Sequence, residues 1–209
     1  MKAKIDPVQL YETMSVYENE ARAGGLYYIA GMDEAGRGPL AGPVVAACVI
    51  LDPERPVYGV NDSKKLSPKK RAALKLEIEE KAISIGVGIV DEKVIDEINI
   101  LNATKLAMKD AFEQVFPIPE LLLIDALTLD LPVEQKGIIK GDALSVSIAA
   151  ASIIAKETRD QLMLQMDEKY PGYGFKDHKG YGTAAHIAAI KELGPCPIHR
   201  KTFITHFTG

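Results

Sequence analysis

Residues 31–43 read Gly31-Met32-Asp33-Glu34-Ala35-Gly36-Arg37-Gly38-Pro39-Leu40-Ala41-Gly42-Pro43. They join an apolar run over 27–32 to a second over 43–51, and both runs are composed as strands are. The stretch therefore predicts an antiparallel pair joined by a glycine-rich turn, with two adjacent carboxylates where the first strand ends. Carboxylates beside an apolar strand cost free energy unless something compensates them, and a divalent cation compensates two at once. Glycines without side chains let the backbone of the turn come close to a ligand. A metal held against a phosphate or a sugar follows, and with it nucleic-acid or nucleotide chemistry. Asp and Gly are also ordinary turn residues, so the rest of the chain has to decide.

Outward from this pair, Asp6-Pro7 predicts a helix start and Gly24-Gly25 its end. Ser67-Pro68 caps a charged helix running to about Ile83, and a third strand covers 84–90. Asn99 to about Val115 has helical periodicity. Residues 120–124 form a short buried strand that ends at Asp125. A run over 137–140 leads into Gly141-Asp142 and a long helix to about Tyr170, and a last helix over 183–193 stops at Gly194-Pro195. The order predicts an α/β fold, a central mixed sheet flanked by helices with a helical C-terminal part.

The 209 residues suit one domain, 1–209, with a helical N-terminal extension over 1–26 and a C-terminal segment from about 171 to 209. The apolar stretches are far shorter than a membrane span, and no signal-peptide core is visible, so no membrane partner is expected. Cys48 and Cys196 give neither a disulfide framework nor metal-ligand spacing, which suits a reduced, cytoplasmic protein. The net charge of −4 runs mildly against nucleic acid, but its distribution does not. Residues 61–75 carry Lys64, Lys65, Lys69, Lys70, Arg71 and Lys75 against Asp62 alone, a patch able to track phosphates. The same run also reads as a solvated helix face.

Three acidic sites share one placement. Asp33-Glu34 and Asp125 each end an apolar strand, and Asp142 opens the long helix. Carboxylates so placed converge on one edge of a sheet, where ligands of α/β proteins commonly bind. Four oxygen donors without His or Cys suit Mg²⁺ or Mn²⁺ rather than zinc, and two such ions suit phosphodiester hydrolysis. Taken singly, Asp142 also reads as a helix cap and Asp125 as a partner for Lys140. Asp160 reads as an ion-pair member, and His178, His186 and His199, without ligand spacing, as surface or packing residues.

With these residues in view, the chain closely resembles bacterial ribonuclease HII. The resemblance rests on Asp33 through Ala47, Asn61-Asp62-Ser63-Lys64-Lys65-Leu66, Leu123-Ile124-Asp125-Ala126 and Ile138-Ile139-Lys140-Gly141-Asp142. It continues through Ser147 to Lys156, Thr158-Arg159-Asp160, Lys179-Gly180-Tyr181-Gly182-Thr183 and His199-Arg200-Lys201-Thr202-Phe203, about residues 15–205 in all. It implies a ribonuclease H-like fold and endonucleolytic cleavage of RNA in RNA–DNA hybrids, including 5′ of a single ribonucleotide embedded in duplex DNA, as in ribonucleotide excision repair. It further implies Asp33, Glu34, Asp125 and Asp142 as catalytic, metal-binding carboxylates, and two ions, Mg²⁺ or Mn²⁺. Gly36, Arg37 and Gly38 match a loop that reads the ribose 2′-hydroxyl and nearby backbone, and Tyr181 matches a tyrosine at the RNA–DNA junction. Ser63, Lys64 and Lys65 are expected at phosphates. Lys156 and Arg159, three apart on the long helix, are read either as phosphate contacts or as structural ion-pair members.

The expected chemistry is in-line attack by water with inversion at phosphorus, leaving 3′-hydroxyl and 5′-phosphate ends, by a monomer. Many bacterial members carry a longer N-terminal region and some have extra residues after the His-Arg-Lys-Thr-Phe segment, so weaker substrate affinity is an expectation here. A sister family, ribonuclease HIII, normally lacks the Gly-Arg-Gly loop, and a binding module without catalysis has no use for four clustered acids, which repel phosphate.

Overall fold

In the computed structural model, which describes residues 6–206, the chain opens with two short helices, α1 (Pro7–Met14) and α2 (Val16–Ala23). One helix was expected here, and it breaks at Ser15, whose hydroxyl donates to the Tyr11 carbonyl at 2.7 Å. Residues 1–5 of the expected N-terminal extension and 207–209 of the C-terminal segment lie outside the described residues. The strand pair follows as read: β1 (Ile29–Ala35) and β2 (Val44–Ile50) are antiparallel, with Asp33 opposite Ala47. Helix α3 (Pro68–Lys81) is capped by Ser67, whose Oγ accepts from the Lys70 N–H, and β3 (Ser84–Val90) pairs antiparallel with β2.

Helix α4 (Glu92–Glu113) starts a full two turns before the expected Asn99. Asp91 caps its first part, accepting from the N–H groups of Lys93 and Val94. Asn99 then interrupts it at φ 67° and recaps the second part through Leu101 and Asn102. Strands β4 (Leu121–Asp125) and β5 (Glu134–Ile138) run parallel to β1 and to each other, giving the sheet order β3-β2-β1-β4-β5. Helix α5 (Val146–Lys169) is followed by α6 (Phe175–His178), α7 (Ala184–Leu193) and α8 (Lys201–Ile204).

Period-2 alternation gives β2 two buried faces. Val44, Ala46, Cys48 and Ile50 pack toward Ala103, Ala107, Met108 and Ala111 of α4. Ala47 and Val49 pack toward Ala149, Ala150 and Ile153 of α5 and Leu74 and Ile78 of α3. Helix α5 crosses β1 so closely at Gly31 that a Cβ there would stand 2.0 Å from the Ser147 carbonyl carbon. This contact draws the start of α5 up to the strand that ends in Asp33 and Glu34. The parallel pairing of β1 with β4 brings Asp125 to the same sheet edge. Among the described residues no helix is long and apolar enough to cross a membrane.

Candidate active site

The edge where β1 and β4 end holds a cleft of about 220 Å³. It is lined by Asp33, Glu34, Gly36, Arg37, Gly38, Ser63, Lys64, Ser152, Lys156 and Tyr181, among others. Asp125 and Asp142 stand beside this cleft and are felt electrostatically by Asp33. Asp33 Oδ1 accepts from the Glu34 N–H at 2.8 Å. Asp125 Oδ1 takes the Gly141 N–H at 2.9 Å, not the Lys140 side chain. That bond ties the end of β4 to the turn carrying Asp142.

Asp142 does not open the long helix. It lies in a separate 3-10 turn, Gly141–Ala143, and Ser145 caps α5 by accepting from the Ile148 N–H. The start of α5 that follows this turn is held by Glu18 of α2, a fully buried carboxylate that accepts from the Ser145 hydroxyl at 2.6 Å and the Ser147 N–H at 3.0 Å.

Burial and mutual repulsion set the electrostatics. Burial first, then Glu34, with Asp125 and Asp142 behind it, pushes the Asp33 carboxyl well above the usual carboxylate range. Burial also raises Glu34, opposed by Arg37, whose Nη1 lies 3.4 Å from Glu34 Oε1. Asp142 is raised by burial and then by Asp62, with Lys64 opposing. Asp62 is thus a fifth carboxylate at this edge, and it was missed. In the sequence it stands within a lysine-rich loop and reads as a counter-charge, but the loop folds it against Asp142.

Oxygen-only donors gathered at one sheet edge, with Asp33, Glu34 and Asp142 raised first by burial, fit a hard divalent cation. As placed they stand apart: among the described residues no three His, Cys, Asp or Glu side chains are drawn together as the ligands of one ion.

The remaining expected contacts divide. Arg37, Lys64 and Tyr181 are accessible at the cleft, and the Tyr181 ring lies beside Gly38. Lys156 reaches the cleft while pairing with Asp160 at 2.6 Å. Lys65 pairs with Asp62 at 3.5 Å and does not line the cleft. Ser63 is buried, its hydroxyl accepting from Ser152 at 2.8 Å. Arg159 has no exposed surface, so the expected phosphate contact does not match its position. Its donors go to backbone carbonyls instead. The basic run on α3 is likewise partly spent: Arg71 is buried against Glu157 and Asp160, and Lys75 pairs with Glu79.

Comparisons with known proteins identify the family. The family model for Ribonuclease HII matches residues 30–206. Ribonuclease HII of Acetivibrio thermocellus is 61% identical over 198 residues, covering 94% of this chain and 77% of that protein. Among solved structures, ribonuclease H2 from Pyrococcus horikoshii OT3 superposes with a TM-score of 0.69 at 30% identity, over 83% of this chain and 92% of that one. The RNase HII in the PCNA complex from Archaeoglobus fulgidus gives 0.71 at 27% identity, over 87% and 97%. The acidic strand ends, the glycine loop beside them and this likeness lead to one assignment: the chain belongs to the ribonuclease HII family and is a type 2 ribonuclease H.

Proposed function

We propose that this ribonuclease H incises duplex DNA 5′ of a single embedded ribonucleotide, besides cutting RNA in RNA–DNA hybrids, and leaves 3′-hydroxyl and 5′-phosphate ends. The observation that carries the reading is the single cleft in which Gly36, Arg37, Gly38 and Tyr181 stand against Asp33 and Glu34. A reader of one ribose must lie within a nucleotide of the hydrolytic groups, and this cleft meets that requirement.

The 2′-hydroxyl both donates and accepts, and it is the group that separates RNA from DNA. The loop offers its backbone to that hydroxyl, Arg37 a charge-assisted contact to phosphate, and the Tyr181 ring an apolar face for the neighbouring sugar. Lys64 and Lys156, at the cleft wall, neutralise phosphates along the strand. Asp33, Glu34, Asp125 and Asp142 are the residues that would hold Mg²⁺ or Mn²⁺. Such ions, when bound, polarise the scissile phosphate and make water a competent nucleophile near neutral pH. The Gly141 N–H keeps Asp125 turned toward the edge, and Arg37 keeps Glu34 there until substrate competes for the guanidinium.

The test is a gel assay in Mg²⁺ or Mn²⁺ on a DNA duplex with one ribonucleotide, an all-DNA control and a continuous RNA–DNA hybrid. Cutting on the 5′ side of the lone ribonucleotide, lost in EDTA and absent from the control, supports the reading. Cutting of the continuous hybrid alone refutes it.

A further inference from the structure

Behind the glycine loop lie Arg159 and Arg200, two of the largest side chains with no exposed surface. Their donors go to backbone oxygens. Arg200 Nη2 reaches the Gly36 carbonyl at 2.6 Å, Nη1 the Arg37 carbonyl at 3.0 Å and Nε the Gly42 carbonyl at 2.9 Å. Arg159 reaches the carbonyls of Pro43 at 2.9 Å, Ala41 at 3.1 Å and Lys179 at 2.9 Å. Burial, with Arg159 as neighbour, works against the charge on Arg200. Burying guanidinium without a carboxylate is costly, and apolar packing would fill the same space more cheaply. What the pair does achieve is geometric. It turns five carbonyls between residues 36 and 43 inward, which leaves the other side of that backbone for the cleft.

One of the pair also reaches Tyr181. Arg159 lies 5.8 Å from the centroid of its ring and holds the carbonyl two residues before it. Arg200 is seated in turn by its own N–H on the Leu40 carbonyl and by Asp96 of α4. Asp96 accepts from the N–H groups of Lys201 and Thr202 at 2.8 and 3.0 Å and from the Thr202 hydroxyl at 2.6 Å.

We infer that Arg200 and Arg159 are positioning residues for ribonucleotide selection, fixing residues 36–38 against Tyr181 so that one ribose is read at one register, without touching the substrate. This rests on the reading of that loop given above. A continuous hybrid presents a 2′-hydroxyl at every step, so a loosened loop still finds one in some register. A lone ribonucleotide gives no second chance. Loss of the clamp therefore falls on the lone-ribonucleotide substrate.

The experiment compares kcat/KM on the two substrates for the wild type, Arg200→Lys and Arg159→Lys, which keep the charge and lose the planar fork. Arg200→Ala is assayed with and without millimolar guanidinium ion. The expected result is a fall of roughly 30- to 100-fold on the lone ribonucleotide, the scale of a small misplacement at a reacting site, against less than about tenfold on the hybrid. Partial recovery of Arg200→Ala by guanidinium is expected with it. Equal losses on both substrates, or no guanidinium recovery, overturn the inference. If the arginine variants do not fold, Asp96→Asn, remote from the cleft, takes their place. It should lower the ratio of the two rates several-fold, and an unchanged ratio overturns the inference. A wild-type enzyme that ignores the lone ribonucleotide refutes the underlying functional reading, which the clamp variants cannot do.

Discussion

At the scale of single residues, two glycines two positions apart in one loop do different work. Gly36 has φ 98°, and a Cβ on it would stand 2.2 Å from Arg159 Nε and 2.7 Å from the Pro43 carbonyl oxygen. Gly38 is not in the left-handed region, and its Cβ would meet only the Tyr181 ring, at 3.8 Å. The first position is closed to any side chain by backbone and clamp together, whereas the second has room. Gly36→Ala should therefore lower Tm by roughly 4 °C or more and cut incision at least ~100-fold. Gly38→Ala should hold Tm within about 1 °C and lower kcat/KM less than ~10-fold, through substrate binding. Thermal melting and steady-state kinetics on the lone-ribonucleotide duplex check both, and equal effects from the two variants contradict the account.

At the scale of elements, the strap over 179–183 between α6 and α7, which carries Tyr181, rests on histidines. His186 and His199 are buried with their Nε2 atoms 3.0 Å apart, and His178 stacks on His186 at 4.3 Å between centroids. The Tyr181 carbonyl lies 2.9 Å from His186 Nδ1, and the Gly180 N–H donates to His178 Nδ1 at 3.1 Å. Burial pushes His186 down to about 4, and His199 is lowered by the same cause. An imidazole that titrates near 6.5 when unfolded and near 4 when folded binds more protons in the unfolded chain between those values. Its contribution to stability is present above pH ~6.5 and lost as pH falls toward 4. Melting followed from pH 7 to 4.5 should show Tm falling by something on the order of 5 °C more in the wild type than in His186→Asn. Parallel curves sink the idea. The reading of these histidines as packing residues holds for His186 and His199, but the support they give the strap was not legible. The ring contacts of His186 join residues 5 to 13 apart across a helix and a loop, and those of the Arg200 guanidinium with the glycine loop join residues more than 150 apart. No local pattern encodes such pairs. Strands β1 to β4 were legible because alternation and apolar runs are local, as was the capping of α3 by Ser67. The first half of α4 was not, because Asn99 breaks the periodicity from which a helix is read.

At the scale of the whole molecule, the antiparallel pair β1–β2 and the parallel pair β1–β4 act together. Met32 is opposite Ile124, so the acids that come next in each strand stand at one edge of the sheet, beside the turn that carries Asp142. Folding therefore gathers like charges in a place with little water. For a carboxylate raised above its unfolded value of 3.8, as Asp33 is, the stability contribution is present below that pH and lost as pH rises through the folded pKa. At neutral pH the acidic edge works against the fold unless a cation is present, as binding sites commonly do. Asp33→Asn in EDTA at pH 7 should then melt ~2–4 °C above the wild type while cleaving nothing. Mg²⁺ or Mn²⁺ should raise the wild-type Tm with the logarithm of its concentration, about 2.7 kcal/mol of stabilisation at a hundred times the Kd. The Asn variant should gain far less, because it lacks the charge that the ion offsets. Calorimetry of both proteins across a metal titration decides the matter. A variant less stable than the wild type in EDTA, with equal gains from metal, would show that this edge is held by packing and owes nothing to its charge.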